Sequence, residues 1–519
     1  MPADPARHAP GQDQTGQDQT GQDQTGQDQT GEAQTGDAQT GDAQTGELLV
    51  ITATAPTPNG PLHLGHLSGP YVAADIAARA ARARGARVLT VSGLDPHQNY
   101  VPAKAQKEGR KPDAVLDEYE GLVRRAFAAA RVGHDLFADP RADDGYRTAV
   151  RGLLDELIAR RAVALQRETL WRCACCGATL HHAYVTGRCP GCGADSGGGT
   201  CEACGSFTTA ANLIDARCAC CGGPREPLAA RIPVLRLEDY RGALTDIWSC
   251  AVVPPRVRRL IAAYLADGLP DVPLAYPTDW GIPAAADGQR IDVWAEMGLG
   301  LLAGLPRHLD PAASSLDDYV TGWRQPRDGL APSCWHFLGI DNAFYFAVLF
   351  PALFTAAGVP AGWLGGLVVN EFYRLDGLKF STSRNHAVWA HDFLAGQDPA
   401  LVRLFLCWDR PDRDESSFSR QAFEAFRAWS APTLSNTGTL GTTGTLGNTG
   451  TVPAELTEAE LDRARHALQL DSFDPSLALH CLIAAGADRA PRLLAALTGA
   501  EPARAVANGL RDPSGESAA

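Results

Sequence analysis

The stretch that decides the fold is LLVITATAPTPNGPLHLGHLSGPYVAADIAARAARARGARVLTVSG, residues 48–93. It opens with an apolar run from Leu48 to Ala53, which is typical of a buried strand. An alanine-rich segment with helical spacing follows from Ser68 to Arg84, and a second apolar run extends from Arg87 to Gly93. This order of strand, helix and strand predicts a right-handed parallel unit, the building block of an α/β doubly wound sheet.

A similar alternation returns late in the chain. A helix is predicted from Asn342 to Ala357, a strand from Gly365 to Asn370 and a helix from Pro399 to Cys407. A cysteine-rich segment lies between the two alternating halves. We therefore predict one Rossmann-like core that is interrupted by an insertion.

Composition narrows the class of protein. The net charge is -14 and the pI is about 5.4, so the chain lacks the overall basic character on which DNA or tight RNA binding usually depends. No apolar run approaches the ~18–20 residues that span a bilayer, and no signal peptide is visible, so a cytoplasmic location without a membrane partner is expected. Lysine is scarce and occurs only at Lys104, Lys107, Lys111 and Lys379.

The segment PNGPLHLGH, residues 58–66, stands where the first strand turns into a helix. In a parallel sheet, ligands bind at the carboxyl ends of strands, and helix N-termini favour phosphate. Gly60 and Gly65 would allow close approach of a nucleotide, and His63 and His66 could donate hydrogen bonds to phosphate oxygens. An ordinary turn with two surface histidines is the alternative.

A second motif favours the phosphate interpretation. The loop Lys379-Phe380-Ser381-Thr382-Ser383 follows another predicted strand, and together with PNGPLHLGH it resembles the paired HIGH and KMSKS signatures of class I aminoacyl-tRNA synthetases. The closer resemblance, over residues 47–430, is to the methionyl-tRNA synthetase family. Supporting stretches are TDWGIP at 278–283, VW at 293–294, WHFLGID at 335–341 and DESSFS at 414–419.

The resemblance implies a reaction and roles for these residues. The family joins an amino acid to ATP, which acts with Mg²⁺, to form an aminoacyl-adenylate, and then transfers the acyl group. His63, His66 and Lys379 would be catalytic, and Asp95 would receive the α-ammonium group. The nucleotide would contact Pro58, Asn59, Gly60, Gly65, Lys379, Ser381 and Ser383. Thr382 replaces the second lysine of the family, which should weaken transition-state stabilisation unless Lys104, Lys107 or an arginine compensates. A helix cap before His97 is the alternative role for Asp95.

The predicted side-chain pocket departs from the family. Trp294 is retained, but five positions carry residues that differ from those of methionyl enzymes: Ala55, Thr57, Leu301, Asn342 and Phe346. These replacements reshape the pocket, and Asn342 adds a polar group that requires a partner. Methionine is therefore not a safe assignment, and a small or polar amino acid fits at least as well.

The cysteine-rich segment, residues 173–221, is the strongest local signal. It carries four Cys-x-x-Cys knuckles: Cys173/Cys176, Cys189/Cys192, Cys201/Cys204 and Cys218/Cys221. Eight thiolates suffice for two structural zinc sites. The resemblance implies nested pairing, in which the inner two knuckles share one zinc and the outer two share the other. A disulfide cluster, a single occupied site, and substitution by Cys175 or Cys220 are alternatives. His181 and His182 are interpreted as bystanders, and Cys250, Cys334, Cys407 and Cys481 as core residues.

The C-terminal part is acidic. Residues 385–519 carry 17 Asp and Glu against 11 Arg and no Lys, so they offer a poor surface for tRNA. The predicted domains are a disordered pentapeptide-repeat arm (1–46), the first half of the core (47–165), the zinc-knuckle insertion (166–235), the second half of the core (236–385), stem-contact helices (386–432), a flexible Gly/Thr linker (433–453), a remnant anticodon-type helical domain (454–505) and a disordered tail (506–519).

Three hypotheses of function follow. The first is amino-acid activation with ATP and delivery to an acceptor other than an anticodon-read tRNA, such as a small amine or hydroxylamine. Methionyl-type proteins that this chain resembles serve hydrazine-forming, N–N bond-making enzymes with a cupin partner, which here would be a separate chain. The second is a divergent methionine–tRNA ligase. The third is a non-catalytic, zinc-bearing interaction protein on a synthetase scaffold.

Overall fold

The computed structural model describes residues 47–286, 288–324, 329–380, 386–435, 454–486 and 489–500. The predicted arm, the predicted tail and residues 436–453 of the predicted linker lie outside these ranges. The domain bounds drawn from the sequence remain predictions.

The described part of the chain contains strands β1 to β18, in chain order: Glu47–Ala53, Arg87–Gly93, Leu136–Ala138, Ala164–Cys173, Val185–Arg188, Asp195–Gly197, Gly199–Thr200, Phe207–Thr208, Ile214–Cys218, Arg225–Arg236, Asp271–Pro273, Ala275–Pro277, Gln289–Ile291, Ala331–Gly339, Leu364–Asn370, Tyr373–Leu375, Leu378–Lys379 and Ser416–Phe418. Helices α1 to α16 are Leu64–His66, Val72–Ala83, Tyr100–Glu108, Pro112–Ala129, Asp144–Ala159, Arg241–Cys250, Pro255–Asp267, Val293–Leu309, Leu316–Arg324, Phe350–Ala357, Ala390–Ala395, Pro399–Trp408, Arg420–Ser435, Ala454–Ala467, Pro475–Ala485 and Pro491–Thr498.

The central sheet has five parallel strands in the order β15-β14-β1-β2-β3. This confirms the predicted doubly wound α/β fold. Strand β1 is the central strand, and both of its faces are covered. Val50 packs into one core, and Ile51 packs into the other. The order of strands reverses at β1, which has β14 on one side and β2 on the other. Ligands of such sheets bind at this switch point, outside the carboxyl ends of the strands.

The helix predicted from Ser68 to Arg84 is not continuous. It begins as the short helix α1, passes through a π turn at Leu67–Tyr71 and becomes regular only in α2. Gly69 has a ψ of -109°, outside the helical range, and Pro70 follows it without a backbone N–H. A Cβ at Gly69 would lie 2.8 Å from Nδ2 of Asn370, so this bend requires glycine.

The later elements follow the predicted alternation with one difference. The predicted helix at 342–357 is a 3-10 turn at Ile340–Asn342, a π turn at Tyr345–Leu349 and then α10. Strand β15 and helix α12 lie where they are predicted. Pro351, in the first turn of α10, has no N–H to donate to the preceding turn, which accounts for the change of winding there.

A two-stranded ribbon connects the core to the cysteine-rich segment. Strands β4 and β10 pair antiparallel from Ala164 opposite Val234 to Cys173 opposite Arg225. Small sheets of β6-β5-β9 and β7-β8 follow within the segment. The ribbon thus leaves the core between α5 and α6 and returns to it as an insertion.

Three helices after residue 453, α14 to α16, pack on the core. Helix α16 contacts α2 and α12, and the side chain of Arg403 on α12 is bonded to the carbonyl oxygens of Ala496 and Leu497. None of the helices within the described ranges combines the length and the apolar character that a bilayer crossing requires.

Candidate active site

A cavity of about 440 Å³ lies at the carboxyl ends of β1, β14 and β15. It is lined by most of the residues that the sequence predicts for nucleotide and substrate: Ala55, Thr57, Asn59, Gly60, His63, Gly65, His66, Asp95, Trp294, Asn342 and Lys379. Pro58 is buried and does not line it. Ser381, Thr382 and Ser383 lie outside the described residues. The two signature motifs therefore meet at one cavity through His63, His66 and Lys379.

The rings of His63 and His66 are stacked, with centroids 3.7 Å apart. Nδ1 of His66 accepts a hydrogen bond of 3.1 Å from the backbone N–H of His63. Nε2 of the neutral His66 ring must then carry the proton, so it is a donor. The His63 ring also stacks on Phe380 at 4.6 Å, and its buried Nδ1 has no partner among the described residues.

Both histidines are neutral near pH 7. Burial lowers the pKa of His66 to about 4. Burial also holds the pKa of His63 well below its usual value, and His66 and Lys379 lower it further. Neutral imidazole rings can donate N–H hydrogen bonds without adding a second positive charge beside Lys379. Such donors can stabilise negative charge that develops on a phosphate group.

Gly65 is required by close packing. A Cβ at this position would lie 3.0 Å from both Cε1 and Nδ1 of His63 and 3.3 Å from the Phe380 ring. Any larger residue would push the His63 ring off Phe380. Gly65 therefore fixes the position of the His63 ring.

Lys379 ends β17 at the mouth of the cavity. Its ammonium group forms an ion pair with Glu202, and Nζ lies 4.9 Å from the centre of the Phe372 ring. Glu202 stands between Cys201 and Cys204, so the cysteine-rich segment forms one wall of the cavity. The neighbouring Thr200 anchors that wall by donating a hydrogen bond of 2.6 Å to the carbonyl oxygen of Asp341.

Asp95 is buried immediately after β2. Oδ2 accepts a hydrogen bond of 2.9 Å from the Thr57 hydroxyl, whereas Oδ1 is buried without a described partner. Burial, and secondly Glu296, raise the pKa of Asp95 to about 7, although the Thr57 hydrogen bond opposes them. A carboxylate held without a cation in this way is suited to receive an ammonium group.

Aromatic rings form the next wall. Trp294 lies flat on Tyr345, with centroids 3.6 Å apart and an angle of 5° between the planes. Asn342 donates a long hydrogen bond of 3.4 Å to Oδ1 of Asp341, and its amide lines the cavity. The polar group at this position thus has one weak partner and capacity for another.

The six residues predicted for one side-chain pocket do not share a single cavity. Leu301 and Phe346 instead line a second, largely apolar cavity of about 330 Å³ beneath α5 and α8. Ala55 lines both cavities. The two cavities adjoin at Ala55, and the assignment of all six residues to one side-chain pocket stays a prediction.

His182 belongs to no group of possible metal ligands among the described residues, which agrees with its interpretation as a bystander of zinc binding. His182 is buried and lines the first cavity, and its Nε2 lies 2.5 Å from Oδ2 of Asp292. Oδ1 of Asp292 caps α8 by accepting from the backbone N–H groups of Trp294 and Ala295. No motif in the sequence joins residues 182 and 292. The one signal in the sequence for this pair was that His182 lies next to the knuckles but is not needed as a zinc ligand.

The thiols of the cysteine-rich segment form two groups. The outer group is Cys173, Cys176, Cys218 and Cys221, and the inner group is Cys189, Cys192, Cys201 and Cys204. This is the nested arrangement, and Cys175 and Cys220 belong to neither group. All fourteen cysteines are free thiols, which contradicts a disulfide cluster.

The distances fit zinc. Tetrahedral thiolates at the usual zinc–sulfur distance stand about 3.8 Å apart. The Sγ atoms of Cys176 and Cys218 are 3.7 Å apart, and those of Cys192 and Cys201 are 3.7 Å apart. Backbone N–H groups of residues 175 and 176 donate to Sγ of Cys173, and the latter bond chiefly lowers its pKa to about 6.

The single cysteines are core residues with one exception. Cys334, Cys407 and Cys481 are buried, whereas Cys250 is exposed. Cys250 is the last residue of α6, where the helix ends at the surface. Its assignment to the core is wrong.

Comparison with known proteins agrees with the geometry. Residues 49–427 match the family described as tRNA synthetases class I (M). The chain is 32% identical to the methionine–tRNA ligase of Thermomicrobium roseum over 380 residues, 71% of this chain and 63% of that protein. It is also 32% identical to the methionine–tRNA ligase of Thermococcus kodakarensis over 390 residues, 72% of this chain and 52% of that protein. The chain thus spans between half and two thirds of these relatives.

The fold resembles solved structures as well. The methionyl-tRNA synthetase of Mycobacterium tuberculosis bound to methionyl-adenylate superposes with a TM-score of 0.62 and 19% identity, covering 86% of this chain and 83% of that chain. At this identity the likeness concerns the fold.

Proposed function

Because the chain belongs to the methionyl type of class I tRNA synthetases, we propose that it activates an amino acid with ATP and transfers the acyl group to an acceptor. The observation that carries this proposal is the convergence of two neutral histidines, a lysine and a buried carboxylate on one cavity at the switch point of the sheet. Each group has a distinct role in forming an adenylate.

The reaction begins when the carboxylate of the amino acid attacks the α-phosphorus of ATP. Negative charge then builds on the α-phosphate oxygens, where the N–H groups of His63 and His66 would stabilise it. Lys379 would exchange its ion pair with Glu202 for the pyrophosphate end of ATP. ATP would bring Mg²⁺, which balances charge on the leaving pyrophosphate.

Asp95 would hold the α-ammonium group. Its free Oδ1 supplies the acceptor, and Thr57 fixes Oδ2. The side chain of the amino acid would then lie between Ala55, Trp294 and Asn342. These residues support an amino acid other than methionine, with a small or polar side chain.

We propose that the acceptor is not an anticodon-read tRNA. The support is the acidic balance of residues 385–519, 17 acidic residues against 11 arginines. A small amine or hydroxylamine, handled with a partner enzyme that forms an N–N bond, is the acceptor class we favour. The alternative, a divergent methionine–tRNA ligase, is favoured by the names of the relatives. A non-catalytic zinc-bearing protein is the remaining hypothesis.

Amino-acid-dependent exchange of pyrophosphate into ATP tests the proposal. It should be measured over the twenty amino acids, with and without unfractionated tRNA. We expect exchange with at least one amino acid other than methionine and no stable charging of tRNA. His63→Ala and Lys379→Ala should each reduce exchange by about 100-fold or more. His480→Ala and Lys111→Ala, which change the same residue types away from the cavity, should leave it unaltered.

Each contrary result selects another hypothesis. Exchange with methionine together with stable tRNA charging would establish the methionine–tRNA ligase. Absence of exchange with every amino acid would leave the non-catalytic protein. Normal exchange in both His63→Ala and Lys379→Ala would show that the site is misassigned.

A further inference from the structure

His182 has a strained backbone in the wall of the active-site cavity. Its φ is +44°, in the left-handed region that few residues other than glycine adopt. Of the other described non-glycine residues with positive φ, Arg131 and Arg161 follow helix ends, Asp376 begins a tight turn, and Asp215 lies where the pairing of β9 with β5 is irregular. His182 opens the 3-10 turn His182–Tyr184 within the cavity wall, and backbone strain of this kind is concentrated at functional sites.

The imidazole of His182 is oriented by a carboxylate. Oδ2 of Asp292 lies 2.5 Å from Nε2, and a carboxylate only accepts hydrogen bonds, so Nε2 carries a proton. In the neutral ring, Nδ1 is then the basic nitrogen. Asp292 is itself fixed, because its other oxygen caps α8. The ring thus has a defined tautomer and a defined orientation.

Nδ1 faces a space kept clear by glycine. A Cβ at Gly199 would lie 3.2 Å from Nδ1 of His182 and 2.6 Å from the hydroxyl of Tyr345. Gly199 also has a φ of +107°, which disfavours any side chain there. Gly199 and the hydroxyl of Tyr345 therefore border the space beside Nδ1, and both His182 and Tyr345 line the cavity.

His182 lies in the cavity in which the acyl group of the proposed adenylate would be bound. His182 and Asp95 both line the first cavity. Asp95 is the residue proposed to hold the α-ammonium group, one carbon away from the acyl carbonyl. Adenylate formation needs no base, because a carboxylate attacks and pyrophosphate leaves. His182 has no role in that step and is not a member of either thiol group.

We propose that His182, oriented by Asp292, is the general base of acyl transfer. The lone pair of an incoming N–H or O–H group attacks the acyl carbon, and the bond from that carbon to the phosphate oxygen breaks. AMP leaves with the bonding electrons. The proton of the nucleophile passes to Nδ1, and Asp292 stabilises the resulting imidazolium.

This inference rests on the proposed function and adds a requirement for the acceptor. The acceptor must reach the cavity with its proton still attached, as a neutral amine, a hydroxylamine or a hydroxyl group does. Such nucleophiles become acidic only as the new bond forms, which is when a positioned base accelerates the reaction.

The test separates the two half-reactions in the full-length, zinc-loaded protein. Adenylate is formed on the enzyme from the amino acid found by pyrophosphate exchange. It is then challenged with water, hydroxylamine or unfractionated tRNA, and release of AMP is followed in a single turnover. In His182→Gln we expect exchange within about threefold of the wild type and AMP release slower by about 100-fold with the acceptors that the wild type uses.

Two further variants exclude a structural role. Asp292→Asn keeps an oxygen that can cap α8. Its amide group would, however, donate a hydrogen bond to Nε2 of His182. The proton of the neutral ring would then lie on Nδ1, which could no longer act as a base. It should therefore reproduce His182→Gln. His182→Ala should regain AMP release when imidazole is added, because imidazole can occupy the vacated space. His181→Gln, the same change at the adjacent buried ring, is the matched control and should release AMP normally.

The outcomes are distinguishable. Lack of exchange in the wild type would refute the proposed function itself. Normal exchange with unchanged AMP release in His182→Gln, even with water, would refute the role of His182 alone. An equal decline of exchange and AMP release, without rescue by imidazole, would assign His182 to the structure of the cavity and refute the proposal.

Discussion

At the scale of single residues, Asp95 shows how a binding site opposes stability. Its pKa is raised from 3.8 to about 7, mainly by burial. Between these two values the unfolded chain loses the proton of this carboxyl while the folded chain retains it. The folded state is therefore destabilised progressively as the pH rises through this window, and the loss is complete above about pH 7.

Asp95→Asn should therefore stabilise the protein at alkaline pH. The amide oxygen can still accept the Thr57 hydroxyl, and no charge needs to be buried. We expect a gain of about 4 kcal/mol in the free energy of unfolding at pH 8 and almost none at pH 4. Denaturant unfolding at both pH values measures it, and pyrophosphate exchange should be lost. A gain of the same size at pH 4 would show that the Asp95 charge is not its cause.

A second prediction concerns Ala55, which lines both cavities. Ala55→Leu should fill the space between them, so that long side chains lose room while small ones are unaffected. The ratio of exchange with leucine or methionine to exchange with glycine or alanine should fall by about 10-fold or more. Leu301→Val, which enlarges only the second cavity, is the control. An unchanged ratio in Ala55→Leu would show that the second cavity takes no part in selecting the substrate.

At the scale of elements, one arginine connects the C-terminal helices to the core. The side chain of Arg403 is fully buried, and its Nη2 lies 2.7 Å from Oδ2 of Asp75 on α2. It also donates to the carbonyl oxygens of Ala130, Ala496 and Leu497. A planar guanidinium group reaches all these acceptors at once, and a lysine could not.

Arg403→Met should accordingly detach α16. The change leaves a buried carboxylate and several carbonyl groups without their partner, and we expect a loss of about 3–5 kcal/mol in the free energy of unfolding. Hydrogen exchange of the backbone amides of residues 491–498 should accelerate first. Arg79→Met, which removes the more exposed partner of Asp75, should have a much smaller effect. Unchanged amide exchange in α16 would contradict this assignment.

The two thiol groups should differ in their influence on catalysis. The inner group flanks Thr200 and Glu202, which form the wall of the cavity, whereas the outer group lies at the end of the β4–β10 ribbon. Cys192→Ser and Cys176→Ser change exposed thiols of the inner and outer groups, respectively. Each should lose one of two zinc ions, measured by metal analysis. Exchange should fall by about 10-fold or more in Cys192→Ser, and less in Cys176→Ser. Equal exchange in both would show that the inner zinc does not position the wall.

At the scale of the whole molecule, the sequence predicts what depends on local periodicity. The apolar runs of β1 and β2 are local patterns that led to the correct fold, and the spacing of the knuckles predicted eight ligating thiols. The nested grouping of those thiols was implied by the resemblance to the family and not by the spacing. The π turn at Leu67–Tyr71 could not be predicted, because it depends on contact between Gly69 and the distant Asn370. The placement of Leu301 and Phe346 behind Ala55 is likewise a result of how helices pack on the sheet.

The pair of His182 and Asp292 marks the limit of sequence interpretation. The two residues belong to different elements, a turn of the insertion and the N-terminus of α8, and only the return of the ribbon to the core brings them together. Neither residue stands in a spaced motif. The insertion therefore supplies the cavity with chemistry that the two signature motifs do not contain.

The stacking of Phe380 on His63 makes the position of Phe380 visible to NMR spectroscopy. The rings are 4.6 Å apart and nearly parallel, with an angle of 14°, and Phe380 directly follows strand β17. The aromatic ring current of Phe380 acts on the carbon-bound protons of the imidazole at this distance. A proton resonance of His63, identified by its loss in His63→Ala, would thus report each displacement of Phe380 as a change of chemical shift.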